Sequence, residues 1–243
     1  MTEISCIICV YNEGERIKAI LSAVYGHPGL SEIIVVNDGS TDETEAVLAA
    51  YPDIKLITYS PNRGKTYAMA RGIAAARGEY LMFLDADLSG VEPRHIDALA
   101  EPVRRGKAEA TISLRSNSLA LYRALGLDFV SGERVVPTWL LADAPEIMES
   151  LPRWGAEAFI NERIIAARMR LAVVDWPTVV NVRKHTKIGL VRGALAELKM
   201  IGDAVGLLTP LGLVRQNYCL LRQAGRLRWL GKRRRFAGAR AAP

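Results

Sequence analysis

Two carboxylates stand two residues apart at Asp85-Ala86-Asp87, directly after the apolar run Tyr80-Leu81-Met82-Phe83-Leu84. At the end of a buried strand such a pair can hold a hard divalent cation and leave its remaining positions to water and phosphate oxygens. The same spacing suits an acidic loop that caps the helix announced by Pro93, and the pair alone does not choose between the two. Polar residues also follow two other apolar runs. Tyr11-Asn12-Glu13 follows Ile4–Val10, and Asn37-Asp38-Gly39-Ser40-Thr41-Asp42 follows Ile33-Ile34-Val35-Val36. A tyrosine face can stack on a nucleotide base, and carboxylates accept from base N–H and ribose hydroxyl groups. Farther along, Ser113-Leu114-Arg115, Ser131-Gly132-Glu133-Arg134 and Arg183-Lys184-His185-Thr186-Lys187-Ile188-Gly189 bring cations suited to phosphate oxygens. Each arginine by itself could equally sit in a surface ion pair.

The elements that must position these groups alternate over the first 113 residues. Strands are predicted at Ile4–Val10, Glu32–Asn37, Ile54–Thr58, Glu79–Leu84 and Ala108–Leu114, with helical spacing between them, as at Ile17, Ile20, Leu21 and Val24. That order argues for right-handed crossovers and an α/β fold with a mostly parallel, two-sided sheet, whose ligands lie beyond the carboxyl ends of the strands. No Gly-x-Gly-x-x-Gly follows the first strand and no Gly-x-x-x-x-Gly-Lys-Ser/Thr occurs anywhere, which removes a Rossmann dinucleotide site and a P-loop. Beyond residue 115 the rhythm breaks. Residues 115–145 read as an active-site segment, Arg153–Met169 as a helix, Leu171–Asp175 and Thr178–Arg183 as short strands. From Gly189 a helical region follows, and a last helix is expected from Pro210 to about Leu230.

Composition bounds the class. The chain has 243 residues, 50% hydrophobic and 24% charged, with three cysteines, so a disordered chain or a disulfide scaffold is excluded. Cys6 and Cys9 lie inside an apolar strand and read as small hydrophobes rather than a redox pair. Nine Lys or Arg and no acid fall in residues 204–243, so the net charge of +6 leaves −3 for residues 1–203. A basic tail on an acidic body suggests an anionic partner: a membrane surface, or a nucleic acid, for which no recognised fold is present. A solvated, frayed terminus is the plain alternative. The longest apolar stretch, Val205–Val214, is about half a membrane span and contains Pro210, and the start of the chain does not read as a signal peptide. The expected location is cytoplasmic, peripheral on the inner face of a membrane.

Four linked motifs now carry a resemblance: Ile7–Glu13, Ile33–Asp42, Asn62-Arg63-Gly64-Lys65 and Gly78–Asp87. In this order and spacing the chain resembles the family 2 glycosyltransferases, over roughly residues 4–115. The resemblance implies the GT-A fold, divided as a catalytic domain over 1–188 (nucleotide-binding half 1–115, acceptor half 116–188) and a basic C-terminal helical extension over 189–243. It implies nucleotide-sugar contacts at Tyr11, Glu13, Asp38, Lys65, Asp85, Ala86 and Asp87, with Asp38 reading the base and Lys65 near the base pocket. Cys9 stands where many members have proline. The second half is similar to the polyprenyl-phosphate sugar transferases, which implies Arg115, Arg134, Arg183 and Lys187 on the donor diphosphate and the acceptor phosphate. It also implies Mg²⁺ or Mn²⁺ at Asp87, with His185 either a second ligand or a polar loop residue.

The family's usual base, an Asp in a Glu-Asp pair, is missing. Glu157 is the nearest candidate, and a packing or ion-pair role is its alternative. A phosphate acceptor is already anionic and needs no base. The expected activity is therefore an inverting, metal-dependent hexosyltransferase that takes a sugar from a UDP- or GDP-linked donor to a lipid phosphate. The rivals are a soluble phosphorylated acid or glycan hydroxyl acceptor, and a non-catalytic nucleotide-binding member. The apolar faces after Gly189 could also pair with a second copy, giving a homodimer.

Overall fold

The computed structural model describes residues 2–152, 155–181 and 209–227. Its framework is a seven-stranded sheet in the order β3-β2-β1-β4-β7-β6-β8. These strands are β1 (Ile4–Val10), β2 (Glu32–Asn37), β3 (Lys55–Thr58), β4 (Tyr80–Asp85), β6 (Ala110–Arg115), β7 (Arg134–Pro137) and β8 (Leu171–Trp176). Every pairing is parallel except those of β7, which runs antiparallel to both β4 and β6. A separate two-stranded ladder joins β5 (Leu88–Ser89) to β9 (Val180–Asn181).

Side-chain alternation along the strands gives the sheet two buried faces. On one, Ile4, Cys6, Ile8 and Val10 pack with Ile17, Ile20 and Leu21 of α1 (Gly14–Val24) and Ile96, Leu99 and Val103 of α4 (Pro93–Arg104). On the other, Ile7, Val36 and Phe83 meet α3 (Lys65–Ala75), α6 (Ala144–Glu149) and α7 (Ala156–Ala166). Cys6 and Cys9 point to opposite faces of β1, so the C-x-x-C is no redox pair here. Helix α3 lies close on the sheet: a Cβ at Gly72 would come 2.5 Å from Ile7 Cγ2, so only glycine fits. The start of α4 is fixed by Pro93 and a capping box in which His95 Nδ1 accepts from Glu92 N, which makes His95 a structural residue.

Over the first 115 residues the expected strands and helices stand within a few residues of their predicted places, while the helical region expected from Gly189 lies outside the described residues up to residue 208. The segment after residue 115 is an excursion carrying the short helix α5 (Ala120–Leu125), and it returns as β7, whose four residues are all buried in mid-sheet. The helix expected over Arg153–Met169 occupies Ala156–Ala166. The last helix, α8 (Pro210–Gln223), is capped by the Thr209 hydroxyl and packs on α7. Leu220 and Leu221 are buried, with Leu213 and Leu227 half-buried against the same core, because α7 and residues 127–129 offer an apolar surface for them. Trp229 and the basic residues from Arg228 onward lie outside the described residues, as do Trp154, Arg183, His185 and Lys187.

Candidate active site

Parallel pairing brings the ends of β1, β2 and β4 to one rim of the sheet, with Cys9 opposite Asp85 in register. The first two strand ends are locked to each other. Asn12, at φ +53°, takes the left-handed conformation that asparagine tolerates, and its Oδ1 accepts from Thr41 N while its N–H donates to Ser40 Oγ. Asp42 accepts from Thr44 and from Gly14 N. Burial opposes the charge of Asp42, but these hydrogen bonds outweigh it and hold the carboxyl below its ordinary range. Tyr11 is 45% exposed at the rim. Glu13 pairs with Arg16 at 2.7 Å and begins α1.

Asp38 is 3% exposed and its oxygens accept from Arg63 N, Gly64 N and Asn62 Nδ2 at 2.7–2.8 Å. In this arrangement the carboxylate clamps the loop ahead of α3, and a base would meet that loop as much as the carboxylate itself. Lys65 starts α3 at this rim, and its Nζ lies 2.6 Å from Asp85 Oδ1, at the end of β4, and 2.7 Å from Glu157 Oε1. Burial opposes its charge, and the two carboxylates outweigh that and raise its pKa. Asp85 mirrors it: burial pushes the carboxyl up, while Lys65 and Arg115 pull it further down, below the usual range.

Arg115 ends β6 beneath this pair. Its guanidinium sits 3.0 Å from Glu133, 3.6 Å from Asp128 and 3.9 Å from Asp85, and its buried Nε has no hydrogen-bond partner. Glu133 is fully buried among Ser113, Ser131 and Arg115, and burial raises its pKa. Gly132 makes room for the cluster, since a Cβ there would lie 2.6 Å from Asp85 Oδ2 and 2.7 Å from its Cγ. Arg134 is 1% exposed. Its fork donates to Asn161 Oδ1 at 3.0 Å, to the Ser131 carbonyl and, at 3.5 Å, to the Glu157 carbonyl, so it ties α7 to the strand below the site. A phosphate contact from Arg134 would require exchanging those bonds.

The structure thus brings Lys65, Asp85, Arg115, Arg134 and Glu157 into one charged cluster, with Tyr11, Glu13 and Asp38 along the adjoining rim. Ala86 is buried between the two aspartates. Asp87 accepts from Asn181 Nδ2 of β9 at 2.9 Å. Asn181, Glu133, Asp128 and Gly132 were given no role in the sequence reading. Of these, only Gly132 and Glu133 sit in a motif that drew attention, and Asn181 had no signal at all.

Among the described residues, no group of three His, Cys, Asp or Glu side chains could hold a metal by itself. The donor set at Asp85 and Asp87 nevertheless fits a cation that takes one or two carboxylates and completes its shell with water and diphosphate oxygens. Lys65 already neutralises Asp85, which would leave Asp87 as the main protein ligand of such a cation.

Residues 5–119, just under half of the chain, match the family described as Glycosyl transferase family 2. The chain spans about a fifth to two fifths of the length of the first curated relatives it matches. Among them are the poly-beta-1,6-N-acetyl-D-glucosamine synthase of Staphylococcus epidermidis (40% identity; 35% of this chain, 21% of that protein) and the dodecaprenyl-phosphate galacturonate synthase of Rhizobium johnstonii (28%; 56% and 40%). The dolichyl-phosphate beta-glucosyltransferase of Saccharomyces cerevisiae is 26% identical, with coverage of 88% of this chain and 77% of that protein. The structure superimposes on glucosyl-3-phosphoglycerate synthase from Mycobacterium tuberculosis, solved with Mn²⁺, UDP-glucose and phosphoglyceric acid. The TM-score is 0.66 at 22% identity, covering 84% of this chain and 79% of that one. The fold is GT-A.

Proposed function

We propose that this chain transfers a sugar from a nucleoside diphosphate donor to a phosphate acceptor carried by a membrane lipid. The observation that carries this reading is the Lys65–Glu157 ion pair of 2.7 Å. Glu157 stands where a base for a hydroxyl acceptor would be sought, yet its carboxylate is held by a buried ammonium group. A phosphate acceptor arrives already deprotonated and needs no such base, and cations beside the cleft favour two anionic reactants. The names of the yeast and Rhizobium relatives support the same acceptor class.

In this mechanism Tyr11 stacks on the base, and the turns after β1 and β2 hold the nucleoside. Asp87 would hold Mg²⁺ or Mn²⁺, with His185 as the further ligand the sequence suggests, and that ion supplies neutralisation of the donor diphosphate. The acceptor phosphate oxygen forms its bond to the anomeric carbon on the face opposite the departing diphosphate, whose bond to that carbon breaks. Configuration inverts. Charge collects on the leaving oxygens, and Arg115, whose guanidinium lies 3.9 Å from Asp85, is the arginine proposed to stabilise it. Arg183 and Lys187 are proposed for the acceptor phosphate.

The test is a thermal-shift screen with UDP and GDP, with and without Mn²⁺ or Mg²⁺, followed by transfer assays. At about a hundredfold excess over Kd the bound nucleotide should stabilise the chain by about 2.7 kcal/mol. Metal-dependent stabilisation lost in Asp87→Asn, with product formed on a polyprenyl phosphate, is the expected result. Full activity of Asp87→Asn in EDTA would overturn the metal assignment. Turnover confined to a small phosphorylated acid or a glycan would overturn the lipid acceptor.

A further inference from the structure

Half of the large apolar side chains that stand exposed among the described residues fall on two segments. Leu119, Leu121 and Val130 belong to the excursion around α5, and Leu211, Val214 and Tyr218 to α8. Helix α5 has no buried residue, although its sequence Ala-Leu-Tyr-Arg-Ala-Leu is largely apolar. On α8 the inward side is taken by Gln216, Leu220 and Leu221, so positions 211, 214, 215, 218 and 222 share the outward stripe. The two segments adjoin. Asn161 Nδ2 bonds both the Phe129 carbonyl and Gln216 Oε1, and Arg226 lies 3.5 Å from where Gly126 would carry a Cβ.

Cations share this surface. Arg123 and Arg222 are exposed on it, Arg215 pairs with Glu162, and no acid occurs from residue 204 to the end of the chain. A second copy docked by a two-fold axis would set these arginines against one another. An anionic lipid surface takes both features, with apolar side chains at the acyl boundary and guanidinium groups among the headgroups. The face also begins at the rim of the charged cluster: Ser118 donates to Asp128 at 2.6 Å, and Asp128 lies 3.6 Å from Arg115. We propose that residues 119–130 and the outward stripe of α8 form the face by which this domain lies on an anionic bilayer, with the mouth of the cleft at headgroup level. This deepens the lipid-acceptor reading.

The experiment uses the full chain and vesicles of phosphatidylglycerol with phosphatidylcholine, against phosphatidylcholine alone. The vesicles hold no polyprenyl phosphate, so binding is judged apart from catalysis. In a Cys219→Ser background, an environment-sensitive fluorophore is placed at Leu121→Cys, Val214→Cys and, as a control on the exposed far side, Glu45→Cys. The expected result is a blue shift at 121 and 214 with anionic vesicles only, and none at 45. Arg222→Gln should weaken vesicle affinity about fivefold, the share of one cation near an anionic surface. Leu119→Ser with Leu121→Ser should weaken it about tenfold or more. Co-sedimentation without a shift at 121 and 214 would mean that the tail alone attaches, and would overturn the proposal. So would a shift that grows with protein concentration in the absence of vesicles, which marks a self-interface. Failure to sediment with anionic vesicles would overturn it too, and would leave the donor-site assay untouched.

Discussion

Replacing Lys65 by methionine keeps the length of the side chain and removes its charge. In the wild-type chain the ammonium group bridges Asp85 and Glu157 at 2.6 and 2.7 Å, and all three side chains are a fifth exposed or less. Two carboxylates gripping one nitrogen lie about 5 Å apart, and at an effective dielectric of about 20 their repulsion is about 3 kcal/mol once the cation is gone. That agrees with the low end of the about 3–5 kcal/mol lost when one partner of a buried pair is removed. For a chain of this length it corresponds to a fall in Tm of about 6–12 °C. The loss should depend on pH. Burial pushes the Asp85 carboxyl up, but Lys65 and Arg115 hold it below the ordinary range, so its stabilisation is present above the unfolded value. It is lost as pH falls through the lower folded value. In Lys65→Met the largest downward pull is gone, protonation relieves the repulsion, and the deficit against wild type should narrow between about pH 7 and about pH 5. Thermal and urea melts of wild type, Lys65→Met, Glu157→Gln and the double variant across that range measure this. A Lys65→Met variant melting within about 2 °C of wild type at every pH would refute the reasoning. A double variant less stable than Lys65→Met would refute it equally.

Gly132→Ala brings a methyl group within 2.6 Å of Asp85 Oδ2, so the carboxylate must retreat. We expect a loss of about a hundredfold in kcat/KM, as for a displacement near 1 Å, with only about 1–3 kcal/mol of stability lost by chemical denaturation. Arg134→Met should cost about 3–5 kcal/mol in a urea titration, because it strips donors from Asn161 and the Ser131 carbonyl in a closed interior. A small change there would point to an arginine that is free to move. Arg168 ends α7 at φ +53°, where glycine is the usual residue, and Arg168→Gly should raise stability by about 0.5–1 kcal/mol, readable in a melting curve.

The first 115 residues were legible because their strands are long apolar runs and polar side chains follow each run at once, as at Val36-Asn37-Asp38 and Leu84-Asp85. Residues 115–137 were not. Strand β7 is four residues long and opens on Arg134, preceded by Glu133, and two charges at the head of a short run read as loop. They can lie inside because the neighbouring Ser131 answers them together with Ser113, Arg115 and Asn161, which are distant in sequence. The ion pair of Lys65 with Glu157 was illegible for a related reason. The helix around Lys65 was plain, but the Glu157 that holds it comes from α7, 92 positions later in the numbering. The leucine spacing of α8 marks an apolar face without naming what covers it.

Strand β7 also bears on where this chain can be divided. The family match stops at residue 119, yet the outer edge of β4 is closed by a strand that begins at Arg134, and β6 joins the sheet only through that same strand. A fragment ending at 119 would leave the edge of β4 bare and set β6 adrift, so the recognisable unit of descent is smaller than the unit that can fold. Gene fragments cut at the homology boundary would be expected to aggregate, and the segments on either side of residue 119 to unfold together.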